Sequence, residues 1–131
     1  MIKIIRRFLL TAVVALTGPA LWYSGTAYAG PHTDEAKKHA EAAIQHGEEM
    51  LKQGAGNTKD FAMHAREAVK HAEEAIEHAK QEGNKDFIMH TQEGIDHLNE
   101  AIKQADAGHG DQAMEHGKTG MDHLRAGLKS L

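Results

Sequence analysis

The sequence predicts an all-α protein: an antiparallel, up-down four-helix bundle. The segments after residue 30 consist mainly of Ala, Glu, Lys and Gln, which are good helix formers. Three glycine clusters, at residues 54–56, 83–84 and 108–110, divide this region into four segments. Within the segments, apolar residues recur every seven residues, as on the buried face of bundle helices.

The first 29 residues predict a secretory signal peptide that precedes this bundle. A basic start with Lys3, Arg6 and Arg7 is followed by a mostly apolar run over residues 8–21, and Ala27-Tyr28-Ala29 matches a cleavage motif. A permanent anchor is disfavoured because the apolar run is short for a membrane span. We therefore expect one exported domain, residues 30–131, without stable membrane anchoring. The Arg6-Arg7 pair leaves the export route, general secretory or twin-arginine, open.

Charge and composition exclude several functions for the exported domain. All 19 acidic residues but only 12 of the 15 Lys and Arg residues follow Ala29, so the net charge falls from −4 to −7 with neutral histidines. Such a charge disfavours nucleic acid and suits a cation. The chain has no cysteine, which excludes thiolate metal sites, iron–sulfur clusters and covalent c-type haem.

The four helices are expected at about residues 33–53, 58–82, 84–107 and 110–129. Their predicted N-caps are Thr33, Thr58, Asn84 and Gly110, each six residues before an equivalent histidine. An internal repeat supports the second and third boundaries, because residues 56–64 resemble residues 83–90. The core is expected to be thin, since alanine and glycine occupy many of its positions.

Histidine is the residue type that the helical repeat arranges most regularly. If each histidine is position c of a heptad, positions a, d and g form the apolar stripe. Position c then lies at the edge of this stripe, half exposed on one flank of each helix. All eleven histidines follow this spacing and are candidate metal ligands: His32, His39, His46, His64, His71, His78, His90, His97, His109, His116 and His123.

Antiparallel pairing across the glycine turns predicts that the histidines form three layers. The first layer holds His32, His78, His90 and His123; the second holds His39, His71, His97 and His116; the third holds His46, His64 and His109, with Gln104 in the fourth slot. One flank of a helix can meet only one neighbour. Either the first and second helices pair, with the third and fourth, or the second pairs with the third and the fourth with the first.

Glutamates complete the candidate sites. Residues three or four apart on a helix are surface neighbours, and the candidate carboxylate ligands lie three residues after a histidine: Glu35, Glu67, Glu74, Glu93 and Glu100. Glu49 shares this spacing with His46. Imidazole and carboxylate bind Cu²⁺, Ni²⁺ and Zn²⁺, with Cu²⁺ bound most tightly. Histidines seven apart are separated by about 10.5 Å along the axis, so a site should combine one histidine, its glutamate and a histidine of the facing helix.

Other interpretations of the pattern remain open. The histidines could be solvated side chains of a structural or interaction bundle without a metal role. A di-iron carboxylate enzyme would need inward-facing glutamates, whereas the interior positions here hold Ala, Ile and Gly. A haem-b bundle with Met and His ligands is disfavoured in the same way. We therefore expect a metal-binding protein that is not an enzyme.

The heptads of the segment from His64 to His78, and those around His90 and His97, resemble the small metal-binding protein family of the bacterial periplasm. The resemblance extends over nearly all of residues 30–131. It implies a monomeric four-helix bundle in the periplasm that binds several divalent ions, copper foremost, for buffering, scavenging or storage. The chain departs from a full array at Gln104, and the last helix lacks glutamates at the expected positions.

Overall fold

The structure, a computed structural model, describes residues 30–131, and the predicted signal peptide lies outside the described residues. It contains four helices: α1 (Pro31–Gln53), α2 (Thr58–Glu82), α3 (Lys85–Asp106) and α4 (Gly110–Lys129). No strand occurs in residues 30–131, and the predicted all-α four-helix bundle is confirmed. None of these helices is long and apolar enough to cross a membrane. Each helix packs most closely on its sequence neighbour within two hairpins, α1–α2 and α3–α4.

The helix starts differ in detail from the predicted ones. Helix α1 starts at Pro31 with Gly30 as its N-cap, so the prediction of a Thr33 cap was wrong; proline is favoured in the first turn because its fixed φ suits the helix. Asn57 caps α2, so the prediction of Thr58 was one residue off, and Asn84 caps α3 as predicted. Each asparagine accepts a backbone N–H with its side-chain oxygen. His109, and not the predicted Gly110, is the N-cap residue of α4, and it makes no side-chain cap hydrogen bond.

Three glycines with positive φ follow the first three helices. Gly54, Gly83 and Gly108 have φ of 66°, 71° and 79°, a backbone conformation that only glycine adopts at little cost. The Gly83 N–H bonds to the carbonyl oxygens of Ala79 and Lys80, which satisfies the last turn of α2. Gly54 and Gly108 lie in the short connections within the two hairpins, and Gly83 lies in the connection between them.

The buried stripe of each helix is centred between heptad positions d and g. Most buried residues are alanines or glycines, and the largest fully buried side chains are Phe61, Phe87, Met50, Leu98 and Met121. Position a, predicted to be core, is mostly only half buried; Ile76, Ile95 and Met121 are the exceptions at this position. Histidines at c and aliphatic residues at a therefore border the stripe on opposite sides.

The two hairpins achieve their close packing differently. Most of the buried residues of α1 and α2 are alanines, such as Ala40, Ala68 and Ala72. Helices α3 and α4 meet through glycines: a Cβ on Gly94 would lie 3.0 Å from the carbonyl oxygen of Gly120, and a Cβ on Gly120 would lie 3.0 Å from that of Gly94. The backbones of α3 and α4 therefore approach more closely than side chains there would allow.

Ion pairs link the hairpins at the surface. Arg66 of α2 donates to Asp106 of α3 at 2.6 Å, and Arg125 of α4 donates to Glu48 of α1 at 3.4 Å. All four side chains are more than 40 % exposed, so each pair contributes at most about 1 kcal/mol. The bundle is held mainly by its apolar stripe.

Candidate metal centre

The imidazoles line the seams of the two hairpins. Of the two groove arrangements that the sequence left open, the structure has α1 with α2 and α3 with α4. Nine histidines are partly buried, whereas His32 and His109 are exposed. Position c lies between the buried stripe and the glutamates, which explains this intermediate exposure. Side chains at position c are therefore attached to a fixed helical backbone and remain partly exposed.

Six imidazoles form one continuous ladder along the α1–α2 seam. The predicted same-layer pairs are present, with ring centroids 6.0 Å apart for His32–His78, 5.9 Å for His39–His71 and 6.3 Å for His46–His64. Staggered neighbours are closer, at 5.4 Å for His39–His78 and 5.3 Å for His46–His71. The histidines alternate between the helices, so each ring has one or two neighbours across the seam.

A shorter ladder of four imidazoles follows the α3–α4 seam. His90 and His123 have ring centroids 6.4 Å apart, and His97 and His116 are 5.9 Å apart. His97 also lies 5.4 Å from His123. The predicted layers are therefore present, each split into pairs in separate seams.

A carboxylate joins the middle pair of the α1–α2 seam. Glu74 Oε2 lies 3.0 Å from His39 Nδ1 and 3.1 Å from His71 Nδ1. The two imidazole side chains are each 25 % exposed, and the carboxylate is 40 % exposed. This group of two imidazoles and one carboxylate fulfils the combination predicted from the sequence: one histidine, its glutamate and a facing histidine.

An equivalent group lies at one end of the α3–α4 ladder. Glu93 Oε2 is 3.0 Å from His123 Nδ1 and 3.5 Å from His90 Nδ1. The His90 Nδ1 atom is buried and has no hydrogen-bond partner. A nitrogen lone pair or N–H without a partner is costly to bury, and a bound cation would give a deprotonated Nδ1 such a partner.

Both groups fit a divalent transition metal. The ligand atoms of each group lie within 4.8 Å of one another. Atoms bound to one Zn²⁺ at about 2.0–2.1 Å can be at most about 4.2 Å apart, so small side-chain rotations close the site. Each group offers three protein ligands, which leaves coordination positions for water or a further ligand. Binding would displace imidazole protons, since only the neutral ring ligates.

Lysines hold the carboxylates beside two other pairs. Glu49, next to His46 and His64, accepts a hydrogen bond of 2.6 Å from Lys52 Nζ, which holds the pKa of the Glu49 carboxyl below its usual value and raises the pKa of Lys52. Glu100 accepts hydrogen bonds from Gln104 at 2.9 Å and Lys103 at 3.1 Å, and these lower the pKa of the Glu100 carboxyl.

Gln104 occupies a position of the α3–α4 ladder where the heptad pattern expects a histidine, and its side-chain amide contacts both Glu100 and His109. Its Nε2 donates to Glu100, and its Oε1 lies 3.1 Å from Nδ1 of His109. His109 therefore faces an amide where the other seam has His46 facing His64. The layer of His46, His64 and His109 is completed as an imidazole pair only between α1 and α2.

The remaining predicted carboxylate ligands, Glu35 and Glu67, lie outside the two groups. Glu35 lies 3.5 Å from Lys38, and the exposed Glu67 joins neither of the two groups. Glu49 is not among the predicted ligands, although it lies three residues after His46, which is the spacing of the predicted carboxylate ligands. The lysines that hold Glu49 and Glu100 were also missed, and their spacing of three residues from the glutamates was the available signal.

The fold and the site define a class of protein: a small helical bundle whose hairpin seams carry histidine and glutamate groups suited to metal ions. A comparison with protein families gives the same result, since the profile described as small metal-binding protein matches residues 5–127. The chain belongs to the small metal-binding protein family. No curated protein matches it.

Proposed function

We propose that the protein is an exported buffer or store of divalent metal ions, copper(II) foremost, and that it is not an enzyme. The observation that carries this proposal is the pair of groups at the seams, each with two imidazoles around one carboxylate. Copper(II) suits them best because imidazole and carboxylate follow the Irving–Williams order, in which Cu²⁺ ranks above Ni²⁺ and Zn²⁺. Accessible, incompletely filled coordination favours exchange of the ion over permanent retention.

The alternatives have less support. Among the described residues Thr91 is the only polar or charged side chain that is buried, so this part of the chain offers no interior carboxylates for a di-iron enzyme. The large hydrophobic side chains exposed there are Met63 and Met89. They are on different helices, and single exposed residues do not form a docking patch.

Calorimetric titration with Cu²⁺ tests the proposal. The protein lacking residues 1–29 should bind at least two ions, with Ni²⁺ and Zn²⁺ binding more weakly. The affinity should fall below about pH 6, because imidazole must lose its proton to ligate. Absence of binding would contradict the proposed function, and an affinity unchanged between pH 7 and pH 5 would contradict imidazole ligation.

The proposed location is the periplasm, supported by the sequence of residues 1–29. Expression of the full chain and mass measurement of the periplasmic fraction should give a product that begins at Gly30. A single species in light scattering at the mass of one chain would support the proposed monomer. A product that keeps residues 1–29 in the membrane fraction would contradict cleavage and release.

A further inference from the structure

The residue three positions after each histidine-linked glutamate differs between two kinds of site. Each of six histidines is followed after three residues by a glutamate. Four of these glutamates are followed, after three more residues, by a lysine: Lys38, Lys52, Lys70 and Lys103. The other two, Glu74 and Glu93, are followed by the acidic residues Glu77 and Asp96.

The structure shows a consequence of this difference. Glu74 and Glu93, the two with an acidic residue at this position, are the ones whose carboxylates reach two imidazoles each. Three glutamates with a lysine there face that lysine instead, at Nζ to Oε distances of 3.5 Å for Lys38, 2.6 Å for Lys52 and 3.1 Å for Lys103. The fourth, Glu67, is exposed and joins neither metal-ligand group, so only the two glutamates followed by an acidic residue reach two imidazoles.

The acidic residues at this position accept hydrogen bonds from neighbours on their own helix. Glu77 accepts a hydrogen bond of 2.6 Å from Lys80, and Asp96 accepts one of 3.2 Å from Gln92. Neither competes for the imidazoles, while both add negative charge beside the group. A lysine at the same position does the opposite, because it occupies the carboxylate and adds a positive charge close to an incoming cation.

We propose that this residue ranks the metal sites, so that the groups of Glu74 and Glu93 fill first and the lysine-paired groups fill later. The inference rests on the proposed function and deepens it, because it assigns an affinity-determining role to residues that do not bind metal. Lys52 and Lys103 act as positioning residues that hold a carboxylate until a cation displaces them. Each hairpin then has one early site: the middle pair between α1 and α2, and an end pair between α3 and α4.

The expected effect is modest, because the charges are exposed. Exposed ion pairs contribute roughly 0.2–1 kcal/mol, and about 1.4 kcal/mol corresponds to a factor of ten. Exchanging an acid for a lysine should therefore change the affinity of the adjacent group by about 1.4- to 5-fold. Asp96→Lys should weaken the group of Glu93. Lys52→Glu should release Glu49 and strengthen binding at His46 and His64. The double variant keeps the net charge and should exchange the order of the two groups.

Sub-stoichiometric Cu²⁺ followed by two-dimensional NMR resolves the order, because the paramagnetic ion broadens amide signals near its site. In the wild type, signals around His39, His71, His90 and His123 should broaden first. In Asp96→Lys with Lys52→Glu, signals around His46 and His64 should broaden before those around His90. Glu41→Lys and Lys118→Glu, exposed residues outside the groups, are the charge-matched controls, and circular dichroism checks the helical fold of each variant.

The outcomes separate the two proposals. If Cu²⁺ broadens all pairs of the wild type in parallel, or if Asp96→Lys changes no more than Glu41→Lys does, the ranking is overturned while metal binding stands. If no signal broadens in the wild type, the proposed function fails and the ranking fails with it. The ranking is supported if the order of broadening reverses in the double variant and does not reverse in the control variants.

Discussion

The two hairpins apply one heptad pattern with different results. The α1–α2 seam carries six imidazoles in an unbroken ladder between alanine-lined helices. The α3–α4 seam carries four, ends in an amide–imidazole contact and closes through glycines. Each seam nevertheless holds one group of two histidines and a glutamate. The comparison indicates that the heptad fixes where a pair lies, whereas residues outside the pair decide whether a carboxylate joins it.

Removal of the ligands should have the largest effect. His39→Gln with His71→Gln should abolish the group in the first seam, and His90→Gln with His123→Gln the group in the second. Loss of supporting contacts to a metal typically costs 10–100-fold in affinity, so loss of two ligands should cost at least about 100-fold at that group. Calorimetric titration with Cu²⁺ measures this loss of affinity. If one double variant weakened Cu²⁺ binding equally at both seams, the two groups would not be independent.

Packing in the second hairpin should be more sensitive to an added methyl group. Gly94→Ala would place its Cβ 2.8 Å from Leu124 Cδ2 and 3.0 Å from the Gly120 carbonyl oxygen. Overpacking costs typically 1–3 kcal/mol and the gain in helix propensity offsets about 1 kcal/mol, so a net loss of about 1 kcal/mol is expected in urea denaturation. Gly56→Ala, which meets nothing within 4 Å, is the control. Equal stability of the two variants would contradict the close approach.

A histidine at position 104 should make the second seam more like the first. Gln104→His would face His109 and remove the amide that holds Glu100. We expect native mass spectrometry to show one additional bound Cu²⁺. This ion should bind about tenfold more weakly than the first ions, because both rings lie near exposed helix ends. A factor of ten corresponds to about 1.4 kcal/mol. Asn99→His, which adds an exposed histidine elsewhere on α3, is the control. An equal gain from both variants would assign the ion to surface histidine.

The smallest expected effect is a change in the acid stability of the second hairpin. The pKa of Glu100 is lowered in the folded protein by Gln104 and Lys103 from a usual value of 4.5, so the folded state prefers the charged form. The stabilisation is present above pH 4.5 and is lost as the pH falls through the lower folded-state pKa. Glu100→Gln should therefore be slightly less stable than the wild type at pH 6 and indistinguishable near pH 2. Thermal denaturation of the metal-free protein at both pH values measures this.

Much of this arrangement follows from sequence alone. The layer that His39 and His97 share with His71 and His116 was predicted, because equal distances from a glycine turn fix which residues of a hairpin lie at the same level. The choice of seam could not be predicted, since it depends on whether the c or the a edge of the buried stripe faces the nearer helix. Ile76 at position a and Gln92 line the same depression between α2 and α3, and this places the aliphatic edge in the seam without histidines.

The state of individual carboxylates was harder to predict. Glu74 and Glu100 have the same spacing from a histidine, yet one contacts two imidazoles and the other contacts Lys103 and Gln104. Helix periodicity gives the position of a Cβ atom, whereas the direction of a long, exposed side chain depends on neighbouring charges. The α1 start at Pro31 was missed for a related reason, because the cap is set by local backbone geometry.

The register of the histidine pairs about each turn has a consequence for how the capacity of such a protein can grow. Inserting one heptad into both helices of a hairpin, at equal distances from the turn, would add a further pair and leave the existing pairs facing each other. The buried stripe would lengthen without becoming wider, since every heptad repeats the same small residues. Capacity for ions then scales with the length of the hairpin, independently of any enclosed cavity.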